Sequence, residues 1–350
     1  MILVYRYRVK SLNGLLNLQA RAVSFVWNYC NDRQKDAIKW RRRWLTGFDL
    51  NKLTTGSSKE LGLHSGTVNA VCEQYAKSRS QKKRPFLRYR GRKSLGWVPL
   101  KGRDLKETPN GFHFHGREFK VFKSRALPDG AKIKDGTNFS RDARGSWFLN
   151  VCIEVSDVAA RAPEHGVGID LGLKDFATLS TGEKIENPRH FRQLEAALAK
   201  AQRARKKRQA VNIHARISNA RRDFHHKAAL GIVRRFDYIA VGNVSAAGLA
   251  KTSMAKSVLD AGWSSFRNML RYKAIAHGAW YEEVNEAFSS QVCSNCGALP
   301  DSRPKGIADL GIRRWVCSDC GCEHDRDVNA AVNLLARSGH RAPAEGVPAL

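Results

Sequence analysis

The sequence has few acidic residues and no long apolar segment. Only 32 Asp and Glu residues stand against 61 Lys and Arg residues, so the 350-residue chain carries a net charge of +29. The absence of an apolar run of about 18 residues argues against a membrane-spanning helix. The charged start, Met1–Arg8, argues against a signal peptide. Because phosphate contacts gain from counterion release, this charge favours DNA or RNA as the partner.

Disulfide bonds are not expected, because nothing in the sequence indicates secretion. Three of the eight cysteines, Cys30, Cys72 and Cys152, lie among apolar neighbours and are predicted to be buried small hydrophobes. The other five fall within thirty residues near the C-terminus. Their clustering suggests a metal site.

Two Cys-x-x-Cys pairs, each followed by glycine, make up most of this cluster. They are Cys293/Cys296 and Cys317/Cys320, with twenty residues between them. Two such knuckles can place four thiolates tetrahedrally around one Zn²⁺, and the glycine eases each tight turn. The pattern therefore predicts a structural zinc ribbon. Cys322 is a spare, since its use would give a longer, poorer knuckle.

The 42% hydrophobic content excludes a disordered polyelectrolyte, and the length predicts two or three folded units. Residues 2–9 alternate apolar and basic, as an edge strand would. Helical spacing dominates from about residue 14 to 90, and a basic, aromatic-interleaved segment spans Lys82–Lys93. Residues 95–156 consist of short alternating runs that predict strands.

The second half alternates predicted strands and helices, which indicates an α/β layer with a mixed sheet. A buried strand at 167–172 and a hairpin at 176–185 come first, and further strands are predicted at 238–241 and 280–284. Helices are predicted at 256–278 and 328–336. Two long helices at 189–236 carry 14 Lys and Arg but only two acids. Such a one-sided charge favours a phosphate backbone lying along them.

Two acids are candidates for a catalytic metal site. Asp170 lies in an apolar strand, where an unpaired carboxylate costs several kcal/mol. Asp327 lies at the start of the last helix, where it could instead be an N-cap, and Asp325 competes for either role. Together with a third carboxylate, Asp170 and Asp327 could hold a pair of Mg²⁺ ions about 4 Å apart. Such a pair activates water for phosphodiester cleavage.

Several motifs together resemble the TnpB family of transposon-encoded, RNA-guided DNA endonucleases, which are related to type V CRISPR effectors. The similarity covers residues 165–338 closely and the first half only in outline. The motifs, in order, are Gly168–Lys174, Asn219–Lys227, Asp260–Trp263, Ser289–Cys296 and His324–Ala331.

This resemblance implies an α/β, RNase H-like (RuvC) nuclease domain over 161–290 and 323–338, with a zinc ribbon inserted at 291–322. A wedge-like β-barrel over 1–12 and 90–160 would be interrupted by a helical recognition domain at 13–89. Residues 339–350 are expected to form a disordered tail.

The resemblance also implies Mg²⁺-dependent cleavage of DNA that pairs with a transposon-end guide RNA, next to a short flanking motif. We expect a monomer in the ribonucleoprotein, in the bacterial cytoplasm and at the nucleoid when bound to its target. Asp170 matches the family's first catalytic acid and Asp327 its third.

The second acid departs from the family, which usually has Glu where this chain has Gly242. Either the site is broken and the protein binds DNA without cutting, or another carboxylate has moved in. Glu286 is the preferred replacement because the family commonly has proline there, and Glu283 is the alternative. Glu282 and Glu283 would face opposite ways on their strand.

Basic residues on the two long helices and in the first-half basic segment are the predicted nucleic-acid contacts. A strand-joining transposase is a weaker alternative, since only His113 and His115 superficially fit a nucleophile motif. The predicted contacts are Arg203, Arg205, Lys206, Lys207, Arg208, Arg221, Arg222, Lys227, Lys82, Lys83 and Arg84.

Overall fold

The structure is a computed structural model, and it describes residues 2–91, 93–156, 158–305 and 308–340. The chain divides into two compact units, Met1–Ser156 and Asp157–Leu350. Within the described residues, no helix is both long enough and apolar enough to cross a membrane.

In its described residues, the first unit combines four α-helices with eight strands. The helices are α1 (Asn13–Lys39), α2 (Gly47–Leu53), α3 (Ser57–Glu60) and α4 (Ser65–Gln81). The strands are β1 (Ile2–Val9), β2 (Trp97–Pro99), β3 (Lys106–Thr108), β4 (Gly111–Phe114), β5 (Arg117–Phe122), β6 (Lys132–Ile133), β7 (Asn138–Arg141) and β8 (Trp147–Glu154). Helices and strands share one hydrophobic core.

The strand pairs described in the first unit are all antiparallel, in the order β2-β7-β8-β1-β5-β4-β3, with β6 beside β8. The prediction that residues 2–9 form an edge strand was wrong. Strand β1 pairs with β8 along its length and with β5 at Arg8 and Val9. Its alternation reflects one buried and one exposed face. Within the described residues no ladder joins β2 to β3, so closure into a barrel stays a prediction.

The second unit is built on a mixed sheet of five strands in the order β11-β10-β9-β12-β13. These are β9 (Gly166–Leu171), β10 (Asp175–Leu179), β11 (Lys184–Glu186), β12 (Tyr238–Gly242) and β13 (Trp280–Val284). Strands β9, β12 and β13 are parallel, and β10 runs against β9. The predicted α/β layer is confirmed.

Six α-helices and a small hairpin complete the part of the second unit that the structure describes. The helices are α5 (His190–Arg203), α6 (Lys207–Arg235), α7 (Ala246–Leu249), α8 (Ala255–Ala261), α9 (Trp263–Ala276) and α10 (Arg326–Ala336), and the hairpin strands are β14 (Arg314–Val316) and β15 (Glu323–Asp325). The helix predicted at 256–278 is broken in two at Gly262, which has a φ of 65°.

The two faces of the second sheet have different partners. Val167, Ile169 and Leu171 of β9 join a large core with residues of α6, α8 and α9. Gly168 and Asp170 face the other way, toward α10. A Cβ atom on Gly168 would lie 1.9 Å from the carbonyl oxygen of Ala331, so only glycine lets α10 approach β9 this closely.

Two residues of the predicted tail are described, and both contact the sheet. The backbone N–H of Gly339 donates to a Glu282 carboxylate oxygen at 3.0 Å, and the His340 ring packs on Tyr238. Residues 341–350 lie outside the described residues.

The close approach at Gly168 predicts a strong effect of one added methyl group. We expect Gly168→Ala to destabilise the protein by more than about 2 kcal/mol, because the backbone of α10 would have to shift. Gly231→Ala, in α6 with no heavy atom within 4 Å of the new Cβ, is the matched control. It should be neutral or stabilising by up to about 1 kcal/mol. Guanidinium unfolding followed by circular dichroism measures both, and equal midpoints would contradict the packing.

Candidate active site

Asp170 lies near the end of β9, the central strand of the second sheet. It is half-buried on the face that α10 covers. Burial raises the pKa of Asp170 to about 7, and the negative charges of Asp327 and Glu286 act in the same direction. The structure therefore brings these three sequence-predicted acids into one electrostatic neighbourhood.

Strands β9 and β12 are parallel, and the last residues paired between them are Ile169 and Val241. The next residues along these strands, Asp170 and Gly242, therefore lie side by side. A Cβ atom on Gly242 would lie 3.2 Å from Oε2 and 3.5 Å from Cβ of Glu286. The Glu286 side chain thus fills space that a side chain at position 242 would need. Burial raises the pKa of Glu286, against the opposing charge of Arg267.

The N-cap of α10 is Asp325. Asp327, the other candidate for that position, does not cap the helix. An Asp325 carboxylate oxygen accepts the backbone N–H groups of Asp327 and Val328, each at 3.1 Å. Asp327 sits in the first helical turn, and both of its carboxylate oxygens accept from Nη1 of Arg313 at 3.1 Å. Its carboxylate is therefore paired with a guanidinium in this structure.

Glu282 and Glu283 point to opposite faces of β13 and are engaged away from Asp170. Glu282 accepts from the Tyr238 hydroxyl on the α10 face. Glu283 pairs with Arg271 and Arg267 of α9, with its Oε2 3.4 Å from Nη1 of Arg267. Glu283 thus lies across the sheet from Asp170, which makes it the weaker replacement for the missing acid.

The three acids offer the oxygen donors that a hard divalent cation prefers. Burial is the largest cause of the raised pKa of Asp170, and the charges of Asp327 and Glu286 add to it, so a bound cation would favour the ionised carboxylate. Within the described residues, however, the oxygens of the three acids do not form a set whose members all lie within 4.8 Å of one another. The three carboxylates are of the chemical type that binds Mg²⁺. Their oxygens are spread more widely than the ligands of a single ion would be.

The four knuckle cysteines do form such a set. Their sulfur atoms all lie within 4.8 Å of one another, so the group can hold a metal ion, and four thiolates suit zinc. The turn glycines Gly297 and Gly321 have φ of 74° and 71°. Cys322 lies outside the set, with its sulfur 3.7 Å from the Glu323 carbonyl oxygen.

Sequence reasoning missed two residues at these sites. His324 is buried, its Nε2 lies 3.0 Å from the Cys293 sulfur, and its ring packs on Trp315. Arg313 pairs with Asp327, as described above. His324 stands in a quoted motif, but nothing in its spacing pointed to the knuckle, and no local signal marked Arg313 among so many basic residues.

The predicted nucleic-acid residues fall into different environments. Arg203 to Arg208 surround the exposed turn between α5 and α6, and Lys82, Lys83, Arg84 and Arg222 are exposed as well. Lys227 pairs with Asp223 on the surface of α6 at 2.7 Å. Arg221 differs, because its Nη2 lies 3.2 Å from a carboxylate oxygen of the buried Asp260. It therefore has a structural partner.

The remaining motif residues hold α5 and α6 in place. Asp260 accepts from the backbone N–H of Phe191 at the start of α5, at 2.9 and 3.0 Å from its two oxygens. His225 of α6 is buried and stacks on Phe176, and burial lowers the pKa of His225 to about 4. These contacts fix the basic helical hairpin against the sheet.

Comparison with known proteins agrees with the motifs. A family model described as "Probable transposase" matches residues 150–253, and one described as "Cas12f1-like, TNB domain" matches residues 263–334. The second half is therefore similar to a transposase family and to a Cas12f1-like domain. The chain belongs to the TnpB family.

Two bacterial relatives are similar over much of the chain. A Streptomyces pristinaespiralis protein named "Putative RNA-guided DNA endonuclease" is 40% identical over 227 residues, which is 61% of this chain and 55% of that protein. The Escherichia coli K12 protein "Putative RNA-guided DNA endonuclease InsQ" is 31% identical over 234 residues, 58% of this chain and 56% of that protein. The matches thus span little more than half of each relative.

A solved structure described as "Cryo-EM structure of the Cas12f1-sgRNA-target DNA complex" is a distant structural match. It aligns with 96% of this chain and 99% of its own, at 14% identity and a TM-score of 0.41.

The cysteine geometry predicts which thiols a metal needs. Cys317→Ser should remove bound zinc from the purified protein, whereas Cys322→Ser should retain it, because only Cys317 belongs to the four-sulfur set. Elemental analysis by mass spectrometry checks both variants. Loss of the metal from Cys322→Ser would show that the ligand set is wrong.

The raised pKa of Asp170 predicts a pH-dependent stability. In buffer without divalent cations, the folded protein keeps the Asp170 proton to about pH 7, while the unfolded chain releases it near pH 4. Asp170 therefore costs no stability below pH 4, and its cost grows up to about pH 7. We expect Asp170→Asn to be more stable than the wild type by about 2 to 4 kcal/mol at pH 8 and equal to it near pH 4. Urea unfolding at both pH values measures this, and a constant difference would contradict it.

Proposed function

We propose that this protein is an RNA-guided DNA endonuclease of a transposon, with Asp170, Glu286 and Asp327 as its catalytic acids. One observation carries the proposal: the Glu286 carboxylate occupies the space above Gly242, level with Asp170. A dead site would have no reason to bury a second carboxylate next to the first. The names of the two bacterial relatives support the same activity.

The domain assignment is part of the proposal. Residues 161–290 and 323–338 form an RNase H-like nuclease, and residues 291–322 form its zinc ribbon. The sheet order, with the second strand antiparallel to a central first strand, supports the nuclease assignment. In the first unit, residues 1–12 and 90–160 act as the wedge and 13–89 as the recognition domain.

The acids would act by holding Mg²⁺, two ions in the expected arrangement. Such ions activate a water molecule and stabilise the leaving oxygen of a phosphodiester. Asp170 holds its proton up to about pH 7 without a cation, so ligation requires that the proton be released. Before a cation binds, Arg313 balances the charge of Asp327.

Guide RNA and target DNA are the proposed partners. Base pairing would select the sequence, while the protein holds the backbone and shape of the nucleic acid. The exposed turn at Arg203–Arg208 supplies phosphate contacts, held in place by the Asp260 and His225 contacts. We propose a monomer in this complex, acting in the bacterial cytoplasm and at the nucleoid.

The alternative is an RNA-guided DNA-binding protein that does not cut and represses by occupancy. Gly242 lacks the usual carboxylate, and Asp327 is paired with Arg313, which favour this alternative. Glu286 is the residue that separates the two functions.

A cleavage assay tests the proposal. Protein purified with its RNA should cut matched double-stranded DNA only when Mg²⁺ is added. Glu286→Gln and Asp170→Ala should each slow cleavage by at least about tenfold, which corresponds to 1.4 kcal/mol of barrier, because each removes a charged ligand. Glu283→Gln is the control and should cut within about twofold of the wild type.

Binding of the same DNA, measured in parallel, separates the outcomes. Normal cleavage by Glu286→Gln with loss in Glu283→Gln would move the second acid to Glu283. Tight guide-dependent binding without any cleavage by the wild type would establish the occupancy function instead.

A further inference from the structure

The basic segment after α4 is held firmly on helix α1. The backbone N–H of Leu87 donates to Asn31 at 2.9 Å, and Leu87 itself is buried. Asn28 pairs with the backbone of Arg90 in both directions, at 2.8 and 3.0 Å. Residues 86–90 therefore form an ordered strap, and what they expose has a fixed position.

The strap and α1 together expose three aromatic rings with lysines between them. Phe86 is 47% exposed and Tyr89 42%, and Nζ of Lys35 lies 5.1 and 4.5 Å from their ring centres. One helical turn further on, Nζ of Lys39 lies 5.6 Å from the ring of Trp40, which is 67% exposed. Residues four apart share a helix face, so Lys35 and Lys39 lie on the same side of α1. We call Lys35, Lys39, Trp40, Phe86 and Tyr89 the α1 ladder.

The charges around the α1 ladder favour an anionic occupant. Arg88 of the strap is exposed, and so are Lys82, Lys83 and Arg84 just before it in the chain. The nearby acids are engaged: Asp32 accepts from the Tyr89 hydroxyl, and Asp36 lies 2.9 Å from Arg33. An apolar protein partner would have to bury the lysines, whereas a nucleic-acid strand offers bases to the rings and phosphates to the lysines.

A duplex does not fit, because its bases are already stacked and present no free faces. Unpaired bases do, and aromatic rings within a basic groove are the usual means of binding single strands. If the proposed function holds, guide RNA is bound before any target DNA arrives. The exposed rings would then meet the guide RNA first, which favours RNA over DNA.

We propose that the α1 ladder binds unpaired bases of single-stranded RNA, with Phe86, Tyr89 and Trp40 as stacking platforms and Lys35 and Lys39 as phosphate contacts. This site rests on the proposed function for the identity of its RNA. It makes no use of the carboxylates or of the zinc ribbon.

The test uses the full chain and a 12-nucleotide oligouridine, with no guide, target or Mg²⁺ present. Phe86→Ala/Tyr89→Ala should weaken binding by about 10- to 100-fold, with an unchanged dependence on salt. Lys35→Ala/Lys39→Ala should instead lower the slope of log affinity against log salt by about 1.4, the value for two phosphates on a single strand. Fluorescence anisotropy measures both effects.

Phe122→Ala is the matched control. Phe122 is 50% exposed beside Lys10 and Arg8 in the strands of the same unit, yet it stands outside the α1 ladder. It should bind as the wild type does. Photocrosslinking of a 4-thiouridine 12-mer should label peptides that contain Trp40, Phe86 or Tyr89.

Several results would overturn the proposal. One is binding by Phe86→Ala/Tyr89→Ala within twofold of the wild type, and another is an equal loss in Phe122→Ala. A larger loss for oligothymidine than for oligouridine would assign the surface to DNA. Self-association that vanishes in the double variant, with unchanged RNA affinity, would assign it to a second copy of the chain. Because cleavage is not involved, a failed nuclease assay would leave this result intact.

Discussion

The central constraint on the second unit is that three carboxylates, those of Asp170, Glu286 and Asp327, lie in one partly buried region. Asp170 projects from the central strand, and Glu286 covers Gly242 beside it. The charge of Asp327, at the start of the helix whose close approach Gly168 allows, acts on Asp170. Placing like charges in one partly buried region is unfavourable unless a positive charge offsets them. Arg313 supplies part of that charge in this structure. A divalent cation would supply the rest, and this need connects the fold to the proposed chemistry.

The positive charge of the chain is organised rather than spread evenly. In the second unit it is concentrated on the α5–α6 hairpin, which Asp260 fixes by capping α5 and pairing with Arg221. In the first unit it is interleaved with exposed aromatic rings on the strap beside α1. The first arrangement suits a phosphate backbone of any sequence, and the second suits unpaired bases. These two basic surfaces and the carboxylate cluster are formed by different residues of the chain.

Much of the fold was predictable, because hydrophobic periodicity and Cys-x-x-Cys spacing are local signals. The strands at 167–172 and 280–284 and the long basic helices follow from such patterns. The interior position of β1 was missed because alternation marks one exposed face and does not say whether both edges are paired. The break at Gly262 was missed because helical spacing continues on both sides of it. Arg313 could not be found at all, since a pairing formed by folding leaves no local signal.

The central claim is that the carboxylate of Glu286 replaces one missing at position 242. The most direct test is Mn²⁺ binding, followed by electron paramagnetic resonance, in Glu286→Ala and in the double variant Gly242→Glu/Glu286→Ala. The single variant should lose Mn²⁺ affinity, and the double variant should recover it, because the new side chain would enter the space that Glu286 vacates. Wild-type affinity in Glu286→Ala would contradict the account.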